Sequence, residues 1–224
     1  MNIALRRAYY TELERLEADV VDLGAAVGQA MRDAVAALDR GDLDEAARVN
    51  ADDARINDRR WAIERQVQLL LATQQPTASD LRRLIAVLHV VTDLERIGDY
   101  AASIARTCLA IGRPPRAASG HTIGVLAERA EAMLAGALAA LEQHDVDAAQ
   151  RVALEDDGVD AIYRQLAGDL LYDMAEHQEL VDECTQLLFA VHNLERVADR
   201  AQNVCERVAF AKTGNGRLQR RGAA

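Results

Sequence analysis

One phrase occurs twice in this chain, and it fixes most of what the chain can become. Asp93-Leu94-Glu95-Arg96-Ile97-Gly98-Asp99 returns a hundred positions later as Asn193-Leu194-Glu195-Arg196-Val197-Ala198-Asp199. In both copies a Glu and an Asp stand four residues apart, which on a helix turns both carboxylates the same way. Like charges at that spacing weaken an isolated helix by roughly 0.2–0.5 kcal/mol. Repeating the penalty at matching places in two halves implies that something positive binds there.

The duplication extends beyond the phrase. Leu38, Asp42, Asp44, Ala46, Arg48, Val49 and Asp53 recur as Leu141, Asp145, Asp147, Ala149, Arg151, Val152 and Asp156. Between the halves lies Arg113-Pro114-Pro115-Arg116-Ala117-Ala118-Ser119-Gly120, and two adjacent prolines cannot sit inside a helix. The expected domains are therefore a three-helix unit at 1–112, a linker at 113–120 and a second three-helix unit at 121–212. A disordered tail is expected over 213–224.

Within each unit the apolar residues keep helical time. Leu13, Leu16, Val20, Leu23, Val27, Ala30, Ala34 and Ala37 step by threes and fours, the seam of a long first helix. Asp42, with Glu45 three residues on, is a capping pattern for a second helix bearing Val49, Ile56, Ile63, Val67 and Leu70. That helix stops near Gln75-Pro76, and Thr77 is expected to cap a third, through Leu81, Leu84 and Leu88 to about Ile111. Val125, Met133, Leu134, Leu138 and Leu141 mark a fourth, Asp145 opens a fifth, and a sixth carries the second phrase to about Lys212. Trp61 and Tyr163 fall among these patterns and are read as packing residues. The fold class is all-α: six long helices in two tandem three-helix bundles.

Composition narrows the function. A net charge of −10 lacks the basic footprint of nucleic-acid binding. Cys108, Cys184 and Cys205 show no C-x-x-C spacing, as expected of reduced thiols. No apolar run reaches the roughly 18–20 residues of a membrane span, and the start of the chain lacks the core of a secretory signal. A cytoplasmic location is expected. There is no Gly-rich phosphate loop and no nucleophile–base arrangement, so nothing reads as a turnover site.

The second and fifth helices hold acidic positions of their own, Asp53-x-x-x-Asn57 and Asp156-x-x-x-Asp160. Pairing 53 with 99 and 57 with 95 in an antiparallel hairpin puts its midpoint on Pro76. Pairing 156 with 199 and 160 with 195 puts the second midpoint between His177 and Gln178, where no Gly or Pro marks a turn. Each hairpin would bring its acids level, about 30 Å along the helices from the turn. Site one gathers Asp53, Asn57, Glu95 and Asp99; site two gathers Asp156, Asp160, Glu195 and Asp199.

Clustered carboxylates are relieved by protons or by a cation. All-oxygen ligands favour hard ions such as Mg²⁺, Ca²⁺ or Mn²⁺ over iron or zinc, and Cys-rich zinc chemistry finds no support. His192 shares the face of Glu195 as a further candidate ligand. Against this stands the ordinary behaviour of surface acids, solvated or neutralised by Arg96 and Arg196. A metal-dependent phosphohydrolase and a purely structural helical bundle are the rival functional classes.

Taken together, Gln75-Pro76-Thr77-Ala78-Ser79-Asp80-Leu81-Arg82, Leu94 to Asp99 and Leu194 to Arg200 resemble the PhoU family of phosphate-uptake regulators, from about Tyr10 to Lys212. The resemblance implies two bundles related by a pseudo-twofold axis, commonly in a homodimer, with the paired acids as a metal-binding signature. It implies a negative regulator of the phosphate-starvation response, without catalysis. Its partners would be the phosphate ABC transporter ATPase and a sensor histidine kinase at the inner membrane face. Two positions depart from the pattern: Asn57 replaces an acid, and Ala198 stands where the first copy has Gly98. With fewer charges, site one is expected to hold a cation more weakly than site two.

Overall fold

The computed structural model describes residues 3–117 and 122–218. Among these are seven α-helices, one 3₁₀ turn and no strand. Lobe one comprises α1 (Ile3–Arg40), α2 (Leu43–Gln74) and α3 (Ala78–Ile111). Lobe two comprises α4 (Ile123–Gln143), α5 (Val146–Ala153), α6 (Asp156–Glu176) and α7 (Val181–Thr213).

The seam read for α1 is buried as expected: Leu13, Leu16, Val20, Leu23, Val27, Ala34 and Ala37 lie in the core, with Ala30 at its edge. Val49, Ile56, Ile63, Val67 and Leu70 of α2 do the same. Leu81 and Val125, also read as core positions, are exposed instead. Asp42 accepts the Glu45 N–H at 3.1 Å, and Asp145 repeats the cap on Ala148 at 2.9 Å. Thr77 does not cap with its side chain; only its carbonyl takes part, accepting the Asp80 N–H at 3.1 Å.

Both hairpin turns fall where the acidic registers put them. Lobe one turns between Gln74 and Ala78 around Pro76, and lobe two turns at His177, through the 3₁₀ turn Gln178–Leu180. The expected fifth helix, however, is interrupted. Leu154 and Glu155 donate to the carbonyls of Arg151 and Val152, three residues back, so the rod tightens and restarts at Asp156. Asp156 is thereby the first residue of a helix, the end at which the helix dipole favours negative charge.

The lobes meet along two antiparallel helix pairs. Between α3 and α7, Arg200 and Asn203 donate to Asp93 at 3.2 and 3.4 Å, and Asn193 donates to Ser103 at 3.0 Å. The pairs 93/203 and 103/193 exchange under the repeat offset, so the approximate twofold axis runs through this seam. On the outside, α1 crosses α4 where Gly24 receives the side chain of Leu138. A single apolar core runs through both lobes.

Arg113 to Ala117 of the linker is pinned on both sides, while 118–120 lies outside the described residues. Gly41, at φ +64°, leaves room for Arg113 and Pro114 to cross the α1–α2 turn; any Cβ there would strike their backbone. From lobe two, the buried carboxylate of Glu183 accepts the N–H groups of Arg116 and Ala117 at 2.5 and 2.8 Å and pairs with Arg113 at 2.5 Å. Although burial works against it, these bonds hold Glu183 below the ordinary glutamate range. At the other end, Thr213 is still helical, and Leu218 folds back against the core. Of the tail expected over 213–224, residues 213–218 are thus placed, and residues 219–224 lie outside the described residues.

Glu183→Ala strands two backbone donors at the linker and should cost about 2 kcal/mol in chemical denaturation. It should also open the Arg116–Ala117 bond to limited trypsin digestion. Unchanged stability and an unchanged digestion pattern would show that the linker needs no anchor.

Candidate functional site

The core-facing residues of each phrase determine where its acids point. Leu94 and Ile97 on α3, and Leu194 and Val197 on α7, are fully buried. Glu95, Asp99, Glu195 and Asp199 therefore flank the core instead of facing open water, and α2 and α6 bring Asp53, Asn57, Asp156 and Asp160 alongside. All eight expected residues are half-buried, which sets them apart from ordinary solvated surface charge.

In lobe two the four acids act on one another. Burial raises Glu195 above the ordinary glutamate range, and Asp199, Asp160 and Asp156 push it further in the same direction. Burial likewise raises Asp199, against the pull of Arg200 and Arg196, with Asp160 adding to the rise. Glu195 Oε2 is buried without a hydrogen-bond donor. His192, the additional candidate, lies 3.6 Å from that oxygen and 6.1 Å, ring to ring, from Tyr163.

Lobe one is arranged differently. Asp53 is raised by burial and by Asp99, and its Oδ1 is buried without a donor. Asn57 turns its amide back onto Asp53, 3.4 Å from Oδ2. Glu95 is raised by burial and by Asp99, with Arg60 and Arg96 opposing. Arg60, unremarked among the acids in the sequence, reaches across from α2 to lie 3.5 Å from Glu95 while donating to Glu64 at 2.8 Å. Its position was signalled, since it stands three residues after Asn57 and seven after Asp53 on the same helical face. Trp61, expected to pack, is half exposed beneath the Arg60 guanidinium, which sits 4.4 Å from the ring centre. Tyr163, by contrast, packs against the core edge as expected.

The acids are thus gathered but not drawn tight. Among the described residues, no three His, Cys, Asp or Glu side chains converge into a ready-made ligand shell. The donor set still fits a hard cation, because each cluster presents one buried carboxylate oxygen, Asp53 Oδ1 and Glu195 Oε2, that no N–H satisfies.

A duplicated helical bundle with matched acidic hairpins defines a class of two-lobed all-α protein, and comparison with known proteins identifies it. The PhoU domain model matches residues 20–108 and 123–208, and the chain belongs to the PhoU family. It is 32% identical over 210 residues to the phosphate-specific transport system accessory protein PhoU homolog of Clostridium acetobutylicum, covering 93% of this chain and 96% of that one. To PhoU of Escherichia coli it is 32% identical over 214 residues, covering 96% and 89%. The crystal structure of PhoU from Pseudomonas aeruginosa superposes with a TM-score of 0.87 at 32% identity, over 92% of this chain and all of that one. That of the phosphate transport system regulatory protein PhoU from Streptococcus pneumoniae gives 0.86 at 30%, over 94% and 100%. No described helix is long and apolar enough to cross a membrane.

The raised acids fix a sign for pH. A carboxyl that ionises later in the folded state than in the unfolded one binds more protons when folded, so stability falls as pH rises through its folded value. With chelator present, acidification from pH 7 toward about 5, still above the ordinary glutamate value of about 4.3, should stabilise the lobe-two cluster. Glu195→Gln should raise the melting temperature at pH 7 and flatten its pH dependence over that interval. A lower melting temperature in the variant would contradict the repulsion described here.

Proposed function

We propose that this chain is a non-enzymatic accessory regulator of phosphate transport, a cytoplasmic adaptor that binds a divalent cation. One observation carries the metal reading: acids matched in register across two hairpins, half-buried, with carboxylate oxygens lacking a donor. Asp156, Asp160, Glu195 and Asp199 would hold the stronger site. Asp53, Asn57, Glu95 and Asp99 are the matching set in lobe one, with an amide in place of one acid and the Arg60 guanidinium beside Glu95. A hard, oxygen-ligated ion such as Mg²⁺ or Mn²⁺ suits these ligands better than iron or zinc. Bound there, it would neutralise the repulsion between the two helices of the hairpin and fix α6 against α7.

The phosphate role rests on the relatives, whose names describe accessory proteins of the phosphate-specific transport system. By family resemblance, the partners of this chain are the ATPase subunit of the phosphate ABC transporter and a sensor histidine kinase. It would act as a homodimer that restrains the starvation response.

Two measurements test this reading. If Mn²⁺ or Mg²⁺ binds the native state, saturation at about 100 times Kd should stabilise the chain by about 2.7 kcal/mol, and Asp199→Asn should remove most of that gain. Melting temperatures indifferent to all divalent ions would leave the acids as structural charge. In pull-downs at high and low phosphate, the chain should retain the transporter ATPase; no association under either condition would end the adaptor role.

A further inference from the structure

The two acidic clusters are related by the repeat, yet among the described residues only the lobe-one cluster has an arginine within ion-pairing distance of one of its carboxylates. Arg60 is four-fifths buried, at 19% side-chain exposure, and it bridges Glu64 on its own helix to Glu95 on α3. Both acids are 14% exposed. An ordinary pair four residues apart on a helix surface would be solvated and would stay on one helix; this one reaches across the hairpin from α2 to α3. The positions matching Arg60 and Glu64 in lobe two are Tyr163 and Ala167, both uncharged.

The arginines near the lobe-two acids are engaged elsewhere. Arg196 lies over the Tyr100 ring at 4.8 Å, Arg200 donates to Asp93 across the seam, and exposed Arg164 donates to the Asp160 backbone carbonyl at 3.1 Å. Near lobe one, Arg96 is exposed and 3.9 Å from Glu95, while Arg106 is held by Asn50 at 2.9 Å.

We propose that Arg60 is the resident cation of lobe one, and that removing its charge opens a divalent-cation site among Asp53, Glu64, Glu95 and Asp99. The wild-type baseline rests on the metal reading of lobe two given above. In the unaltered chain, metal uptake is then confined to lobe two, and the duplicated signature gives one site instead of two. The guanidinium brings one delocalised charge and several N–H donors to carboxylates that would otherwise compete for an ion.

The test counts Mn²⁺ per full-length chain by equilibrium dialysis. Arg60→Met, which keeps the apolar stem, should bind one more equivalent than wild type, and Arg60→Lys should bind no more. Trp61 is the only tryptophan and lies against the Arg60 guanidinium. Mn²⁺ should therefore quench its emission in Arg60→Met and leave it unchanged in wild type. An Arg60→Met chain with native circular dichroism and wild-type stoichiometry would overturn the proposal. So would loss of an Mn²⁺ equivalent from wild type on Glu95→Gln, a measurement that does not depend on how Arg60→Met folds. Should wild type take up no Mn²⁺, the reading of lobe two fails by itself. The Arg60 proposal is then decided by whether Arg60→Met rises above that zero.

Discussion

Rotation of α3 and α7 about their own axes is the variable on which the rest of this structure depends. Each presents one face to the common core, through Leu94 and Ile97 in one case and Leu194 and Val197 in the other. Once those residues are sealed from water, the acids between them have no freedom to turn outward. Swinging Glu195 into solvent would drag Leu194 and Val197 out of the apolar interior, at a cost of about 1.5–3 kcal/mol for each side chain exposed. The half-burial of the carboxylates is thus imposed by packing. It persists although it raises the proton affinity of Asp53, Glu95, Glu195 and Asp199.

The two lobes meet that imposed repulsion with different means. Lobe one softens it with an amide at Asn57 and a guanidinium at Arg60, both from α2. Lobe two has neither, and its helix break sets Asp156 on the first turn of α6, at the end of the helix dipole that favours negative charge. A sequence duplication has therefore produced similar backbones with unequal electrostatics, and the inequality comes from the outer helices, not from the repeated phrase.

Much of this was legible beforehand, for a definite reason. Helical burial is periodic and local, so the α1 seam, the Asp42 and Asp145 caps and the turn at Pro76 could be read directly. The turn at His177 carries no Gly or Pro, and only the equal spacing of acids on either side revealed it. What stayed hidden depends on three-dimensional competition for partners. The tightening at Leu154 and Glu155, the missing Thr77 side-chain bond and the outward Trp61 leave no periodic trace. Arg60 stood on the acidic face all along, but whether an arginine turns to its own helix, to its neighbour or to water is settled only when α2 and α3 are laid together.

The polar seam between α3 and α7 has one last consequence. Arg196 and Arg200 sit beside the acids of one half and grip Tyr100 and Asp93 of the other. Lobe two therefore shares its counter-ions with lobe one. The same two side chains thus serve the acids of one half and the seam with the other, tying the electrostatics of lobe two to the packing of lobe one.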